Sequence, residues 1–158
     1  METLDYFAIN WTFLADNVVR IILAYLLALP IGWERERSER SAGLRTFPLV
    51  AVAACAYITA GSYLFETDEA QARVIQGLIT GMGFIGGGAI LKSGANVIGT
   101  ATAASMWTVG AIGLCVAIGL LELAIVLSIS NCVILWFLRG SKKPTTEADS
   151  GIDLKNHS

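Results

Sequence analysis

The stretch GLITGMGFIGGGAILK, Gly77 to Lys92, decides how this chain is read. It contains Gly81-Met-Gly83-Phe-Ile-Gly86, a formal match to the G-x-G-x-x-G dinucleotide fingerprint. That fingerprint carries meaning only after a buried strand and at the opening of a helix, where backbone N–H groups can face a pyrophosphate. Upstream lies ETDEAQARVIQ, an acidic segment running into apolar sequence, which is not such a strand. The acidic residue that holds a ribose is also missing, because the chain from Phe84 to Leu121 contains no Asp or Glu. The glycines are instead read as helix-packing residues.

Composition supports that reading. Of 158 residues, 54% are hydrophobic and 15% charged, against about 25% charged in soluble domains. Charges cluster between long apolar runs, as they do where the solvent is lipid. The predicted fold is all-α, a polytopic membrane protein of about five spans. They are Asn17 to Trp33, Phe47 to Phe65, Arg73 to Leu91, Ala101 to Leu120 and Leu121 to Leu138, with a turn at Gly119 to Glu122. This divides the chain into an N-terminal segment 1–16, a transmembrane domain 17–138 and a polar tail 139–158, which is too poor in large apolar residues to form a core. Pro30 should kink the first span near its end. No removable signal peptide is expected.

Lys/Arg placement sets the expected topology. The connection ERERSERSAGLR, Glu34 to Arg45, holds four arginines, Lys92 marks the third connection, and Arg139, Lys142 and Lys143 follow the last span. With five spans all three fall on one side, so the N-terminus is expected outside and the C-terminus in the cytoplasm of a bacterial inner membrane. Cys55, Cys115 and Cys132 lie in apolar runs, odd in number and without metal spacing, and read as packing residues. The single histidine, His157, is in the tail, so Ser105 and the cysteines have no partner for a hydrolase triad. An enzyme is therefore not expected, and no cofactor or nucleic-acid partner is implied. A metal site is left undefined.

At about 100° per residue, Gly77, Gly81 and Gly88 share a face with Phe84, and Gln76, Thr80, Gly83 and Gly87 form a second stripe. Ile75, Leu78, Met82, Ile85 and Ala89 are left as the lipid face. Small residues let helices approach closely in lipid, so the third span is expected to be central and packed on two sides. Gly110 and Gly113 repeat the pattern on the fourth span. Gln76, Thr80, Thr102 and Thr108 would form a polar seam, unless each Thr bonds its own helix backbone. Glu34 and Arg35 end the first span while Arg45 and Thr46 begin the second, with Thr46 able to cap it. These four are the expected polar centre at the membrane boundary, where ionisable groups pair and face protein or a water-filled cavity. Arg20 is expected to snorkel or to pair with Asp16.

IGWERERSERSAGLRTFPLV, ARVIQGLITGMGFIGGGAILK and GTATAASMWTVGAIGL resemble the three signature blocks of the MgtC/SapB family of bacterial inner-membrane proteins. The resemblance covers about Arg20 to Leu121. It carries over Gly32, Glu34, Arg35, Gly43, Arg45 and Thr46 in the first block, Gly77, Gly81, Gly83, Phe84, Gly86 and Gly88 in the second, and Gly99, Thr102 and Trp107 in the third. The family's Leu-Thr-Thr step stands here as Thr100-Ala101-Thr102. The resemblance implies a membrane domain of about five helices, and longer members are similar to this chain followed by a soluble C-terminal domain. It also implies growth under magnesium limitation, survival of some pathogens inside macrophages, and restraint of the membrane part of F-type ATP synthase. The lipid bilayer, a membrane-protein partner and self-association are the partners expected. The reading that competes with a regulator is a small oligomeric ion channel or magnesium transporter lined by Thr, Gln and backbone carbonyls.

Overall fold

The computed structural model describes residues 9–38, 42–93 and 96–137. The polar tail with His157, and Glu39 and Arg40 of the first connection, lie outside the described residues. The chain is an all-α protein of membrane type: α1 (Trp11–Ser38), α2 (Thr46–Leu64), α3 (Asp68–Gly88), α4 (Thr100–Ala117) and α5 (Leu121–Phe137). Helices α1, α2 and α4 are each long and apolar enough to cross a membrane, and α5 is a shorter apolar helix of 17 residues. At 21 residues α3 is long enough, but its glycines, Gln71, Gln76 and Arg73 keep it below the apolarity of its neighbours.

Local chemistry accounts for the ends. The Asn10 side chain accepts from Phe13 N–H at 3.1 Å, starting α1 six residues before the expected boundary, and the helix runs through Pro30. Thr67 caps α3 by accepting from Ala70 N–H, with Asp68 and Glu69 in the first turn, where acidic groups oppose the helix dipole. The expected turn between the last two helices is present. Gly119 has φ +82°, and Leu120 N–H returns to Cys115 O at 2.8 Å while Gly119 N–H reaches Val116 O. That is a Schellman ending, which glycine favours because φ is positive.

The connection after α3 holds an element the sequence did not announce. β1 (Leu91–Ser93) and β2 (Asn96–Ile98) pair antiparallel, Leu91 opposite Ile98. Gly99 closes the hairpin at φ +86°, and a Cβ there would fall on the Ala89 carbonyl oxygen. Both conformation and space require glycine at this point.

The central helix is α4, which packs against all four others. Its buried residues, from Thr102 through Val109 and Ile112 to Ala117, cover most of the cylinder and leave only the face of Ala104 and Trp107 exposed. Gly113 brings it onto α2, where a Cβ would sit 2.9 Å from Ala54 Cβ and 3.0 Å from Cys55 N. Gly110 receives the Met82 side chain of α3. These are the close contacts small residues permit.

The expected faces of α3 are largely exchanged within the protomer, with Ile85 alone of the expected lipid face exposed and Gly83 alone of its expected packing glycines against a neighbouring helix. Met82 and Gly86 are buried, and Ile75, Leu78 and Ala89 pack on the core, whereas Phe84 is 85% exposed. A Cβ at Gly77, Gly81, Gly87 or Gly88 would touch nothing, and only Gly83 and Gly86 lie against a neighbour, Trp107 of α4. The physical reason is volume. Met82 fills the space over Gly110 of α4 and Ile75 and Leu78 pack on the core, while the glycine face is left outward. Large aliphatics on the other helices, such as Ile22, Leu49, Ile129 and Val133, are also outward, as a bilayer-facing surface requires.

The helices alternate in direction, so the charges separate into two poles. Arg35, Arg37, Arg45 and Lys92, with Glu34 and Glu36 among them, lie at the end where α1 and α3 finish and α2 and α4 start. Asp16, Glu66, Asp68, Glu69 and Glu122 gather at the other, with Arg20 and Arg73.

Candidate functional site: a buried polar file ending in Arg35

The buried stripe of α1 is Ala24, Ala28, Ile31 and Arg35. Spacings of four, three and four put them on one helix face. The first three are small or aliphatic core residues; the fourth is a guanidinium that is 5% exposed. The stem of arginine continues the apolar stripe, and the charged head arrives at the basic pole.

Depth along the bundle follows from a contact at the far pole. Arg20 pairs with Asp16 at 3.0 Å and donates through Nη1 to Ala117 O, at the C-terminus of α4. A cation is favourable there because the last carbonyls carry the negative end of the helix dipole. The α1 and α4 helices run antiparallel, and Arg35 and Thr102 are both fifteen residues from this contact. At 1.5 Å per residue both lie about 22 Å along the bundle, at one level.

Two hydrogen bonds extend the polar residues inward from that level. Ser105 Oγ donates to Asn131 Oδ1 at 3.3 Å, joining α4 to α5, and Ser128 Oγ donates to Leu27 O at 2.7 Å, joining α5 to α1. Thr102, Ser105, Ser128 and Arg35 are the buried polar side chains among the described residues. Their positions along α1, α4 and α5 order them as a file from Ser128 at mid-bundle, through Ser105, to Thr102 and Arg35 at the basic pole. Glu34 is half-buried and within electrostatic reach of Cys132 on α5. Glu34, Arg35 and Thr102 each have an interaction partner.

The four residues expected to form a polar centre divide by environment. Arg35 is buried and Glu34 half-buried, whereas Arg45 is exposed and occupies the cap position of α2 without a side-chain cap bond. Thr46 is half-buried and already helical. The capping expected of Thr46 is not made by a side chain: Thr46 and Phe47 N–H both donate to Gly43 O, at 3.0 and 3.1 Å, and in the connection just before the helix Glu36 Oε2 accepts from Leu44 N–H at 2.7 Å. Gly43 lies under the Glu36 side chain, and Gly32 lies under the Gly43 carbonyl and Phe47, so two glycines let α1 and α2 close on this carboxylate. Glu36→Ala should lower the thermal stability of the purified protein by about 1 kcal/mol, the net worth of a typical hydrogen bond. Glu36→Gln keeps an acceptor and should recover most of it. Equal loss in both variants would mean that the carboxylate's charge matters and the hydrogen bond does not.

The expected seam is not assembled. Thr80 donates to Gln76 O at 2.8 Å and Thr108 to Ala104 O at 3.3 Å, each on its own helix, and Gln76 is exposed. Only Thr102 of that set joins the buried file. Ser105, Ser128 and Asn131 were missed as site residues. Ser128 and Asn131 stand three apart in an apolar run, a spacing that places both on one helix face. Among the described residues, no group of three His, Cys, Asp or Glu is placed to hold a metal ion.

A helical membrane bundle with arginine-rich and glycine-rich signature segments is the class defined by this fold and site. The MgtC family profile matches residues 21–143, and the chain belongs to that family. It is 40% identical over 119 residues to Protein MgtC of Brucella abortus, covering 75% of this chain and 50% of that protein. It is 34% identical over 128 residues to the putative magnesium transporter YhiD of Escherichia coli K12, covering 77% and 60%. Protein SrpB of Synechococcus elongatus is 36% identical over 120 residues, covering 68% and 66%. The chain thus spans about half the length of the MgtC proteins it matches. No solved structure matches.

Proposed function

We propose that this chain is a magnesium-related membrane regulator that acts through protein contacts in the bilayer, without conducting the ion and without catalysis. Family membership supports the magnesium relation. The observation that carries the regulatory reading is Arg35: the polar file of the bundle ends in a buried guanidinium. Magnesium is bound through oxygen ligands, with one or two carboxylates and retained waters. A file whose buried side chains are hydroxyls and a guanidinium carries no buried carboxylate, the ligand type on which magnesium binding relies.

In this reading the basic pole faces the cytoplasm of a bacterial inner membrane, in keeping with its Lys/Arg excess. The partner is an integral membrane protein, and the membrane subunits of F-type ATP synthase are the partner that the family resemblance implies. ATP-driven proton pumping in inverted membrane vesicles tests this. Vesicles carrying the chain should acidify more slowly than vesicles without it, and the chain should co-purify with the synthase membrane subunits. Unchanged pumping together with no membrane partner would sink the reading.

Transport is the second reading, favoured by the Ser105, Asn131 and Ser128 hydroxyl and amide groups lining one file. It requires direct magnesium flux.

A further inference from the structure

We propose that the open face of α3 is the interface of a parallel two-fold dimer, in which Phe84 of each copy seats in the groove of the other. This inference is independent of the regulatory reading.

Three observations on different atoms meet at this face. Gly77, Gly81 and Gly88 are open, so a second backbone can approach α3 here without displacing any side chain of the protomer. Phe84 stands between them, 85% exposed. Beside it, between α2 and α3, runs an almost wholly apolar groove of about 550 Å³, walled by Val50, Ala53 and Tyr57 and edged by Gly77, Gly81 and Phe84 itself.

A second copy is the occupant that fits. An interface between identical subunits about a two-fold axis requires one patch to carry both halves of the contact. This patch has a projecting aromatic and an apolar hollow side by side. Inserted in one bilayer, two copies share an orientation, so the axis lies along the membrane normal and equivalent residues meet at equal depth. A helical side chain leans toward the N-terminus and covers the turn before its own Cα. The Phe84 ring of one copy therefore comes to the level of Gly81 in its partner, where the absent side chain makes room.

Lipid is the weaker occupant. This face presents Gln76, Thr80 and four glycines outward, and α3 falls short of the apolarity of a membrane span, unlike the other helices of 18 residues or more. Close approach of small-residue faces is a driving force for helix association in lipid. Covering this face with protein also supplies the packing that acyl chains provide poorly over a bare backbone.

The test uses the full chain in native membranes, with Cys55, Cys115 and Cys132 replaced by Ala and one new cysteine per variant. Under mild oxidation Gly77→Cys and Gly88→Cys should give a covalent dimer, whereas Val133→Cys, exposed on α5, should not. Adding Phe84→Ala to Gly88→Cys should weaken dimer formation on the order of tenfold, the effect of losing an aromatic anchor. Adding Gly81→Leu should do the same while leaving helicity and protomer melting unchanged, because position 81 is open within the protomer. Cross-linking at Val133 equal to that at Gly88, or a dimer indifferent to both Phe84→Ala and Gly81→Leu, would overturn the proposal. So would a monomer in every variant, which would assign the face to lipid or to a foreign helix.

Discussion

Gly113→Ala is expected to be the most damaging of the glycine-to-alanine substitutions at positions 77, 110 and 113. A methyl at position 113 would fall on the Ala51 carbonyl oxygen and press on Ala54 Cβ and Cys55 N, so two of the three atoms it meets are backbone of α2. The backbone of a packed helix cannot rotate aside, and α4 must move off α2 to admit the atom. That loss is expected to reach about 3 kcal/mol, the upper end of the overpacking range. Gly110→Ala meets only the end of the flexible Met82 side chain, at 3.0–3.2 Å, and should cost a fraction of this. Gly77→Ala meets nothing and should leave the protomer as stable as before. Thermal unfolding of the three variants in detergent should rank them in that order. Equal midpoints for Gly113→Ala and Gly77→Ala would mean that the α2–α4 contact is looser than described here.

Arg35→Lys should abolish activity in a low-magnesium growth test, although charge and length are nearly conserved. The guanidinium is buried, and lysine cannot reproduce its planar, multiple-donor geometry. Arg35→Ala should also reduce folded yield, because truncating one member of a buried charged arrangement costs on the order of 3–5 kcal/mol. Arg37→Lys and Arg45→Lys should be nearly silent, since both side chains are exposed and lysine serves equally well as a topology signal. The pattern separates a site from a charge cluster. If Arg35→Lys grows like the parent strain while inserted at normal levels, the arginine is only a topology determinant.

Much of the fold could be read from patterns with a single physical interpretation. Apolar runs of spanning length, the forced turn at Gly119 and the separation of Lys/Arg from acidic connections each point one way. The glycines of α3 do not, because small residues mark a face where something approaches closely without saying what approaches. On α4 they mark Met82 and α2, whereas on α3 the protomer leaves them open. Both faces of α3 are consistent with helical periodicity, and only the volumes of Ile75, Leu78 and Met82 against the core decide between them. The hairpin at Leu91–Ile98 is short enough to be hidden in a connection.

The site was partly legible for a similar reason. Arg35 is visible as a charge at a helix end, but its burial follows from continuing the Ala24, Ala28, Ile31 stripe by one more turn. Arg45 and Arg35 look equivalent in a charge count and differ in environment. Glu36 looks like one of several loop carboxylates, and its bond to Leu44 depends on two glycines that bring α1 and α2 together. Ser105, Ser128 and Asn131 act across three helices, a relation that periodicity along one helix does not contain.

Magnesium flux into liposomes bearing the purified chain, with a magnesium-sensitive dye inside, separates a regulator from a conducting protein. No saturable uptake beyond that of protein-free liposomes is expected, over magnesium concentrations spanning limitation to sufficiency, and no uptake in Arg35→Ala beyond a leak that fails to saturate. Saturable magnesium uptake by the unaltered protein would contradict the regulatory reading, and would make the polar file ending at Arg35 a conduction path.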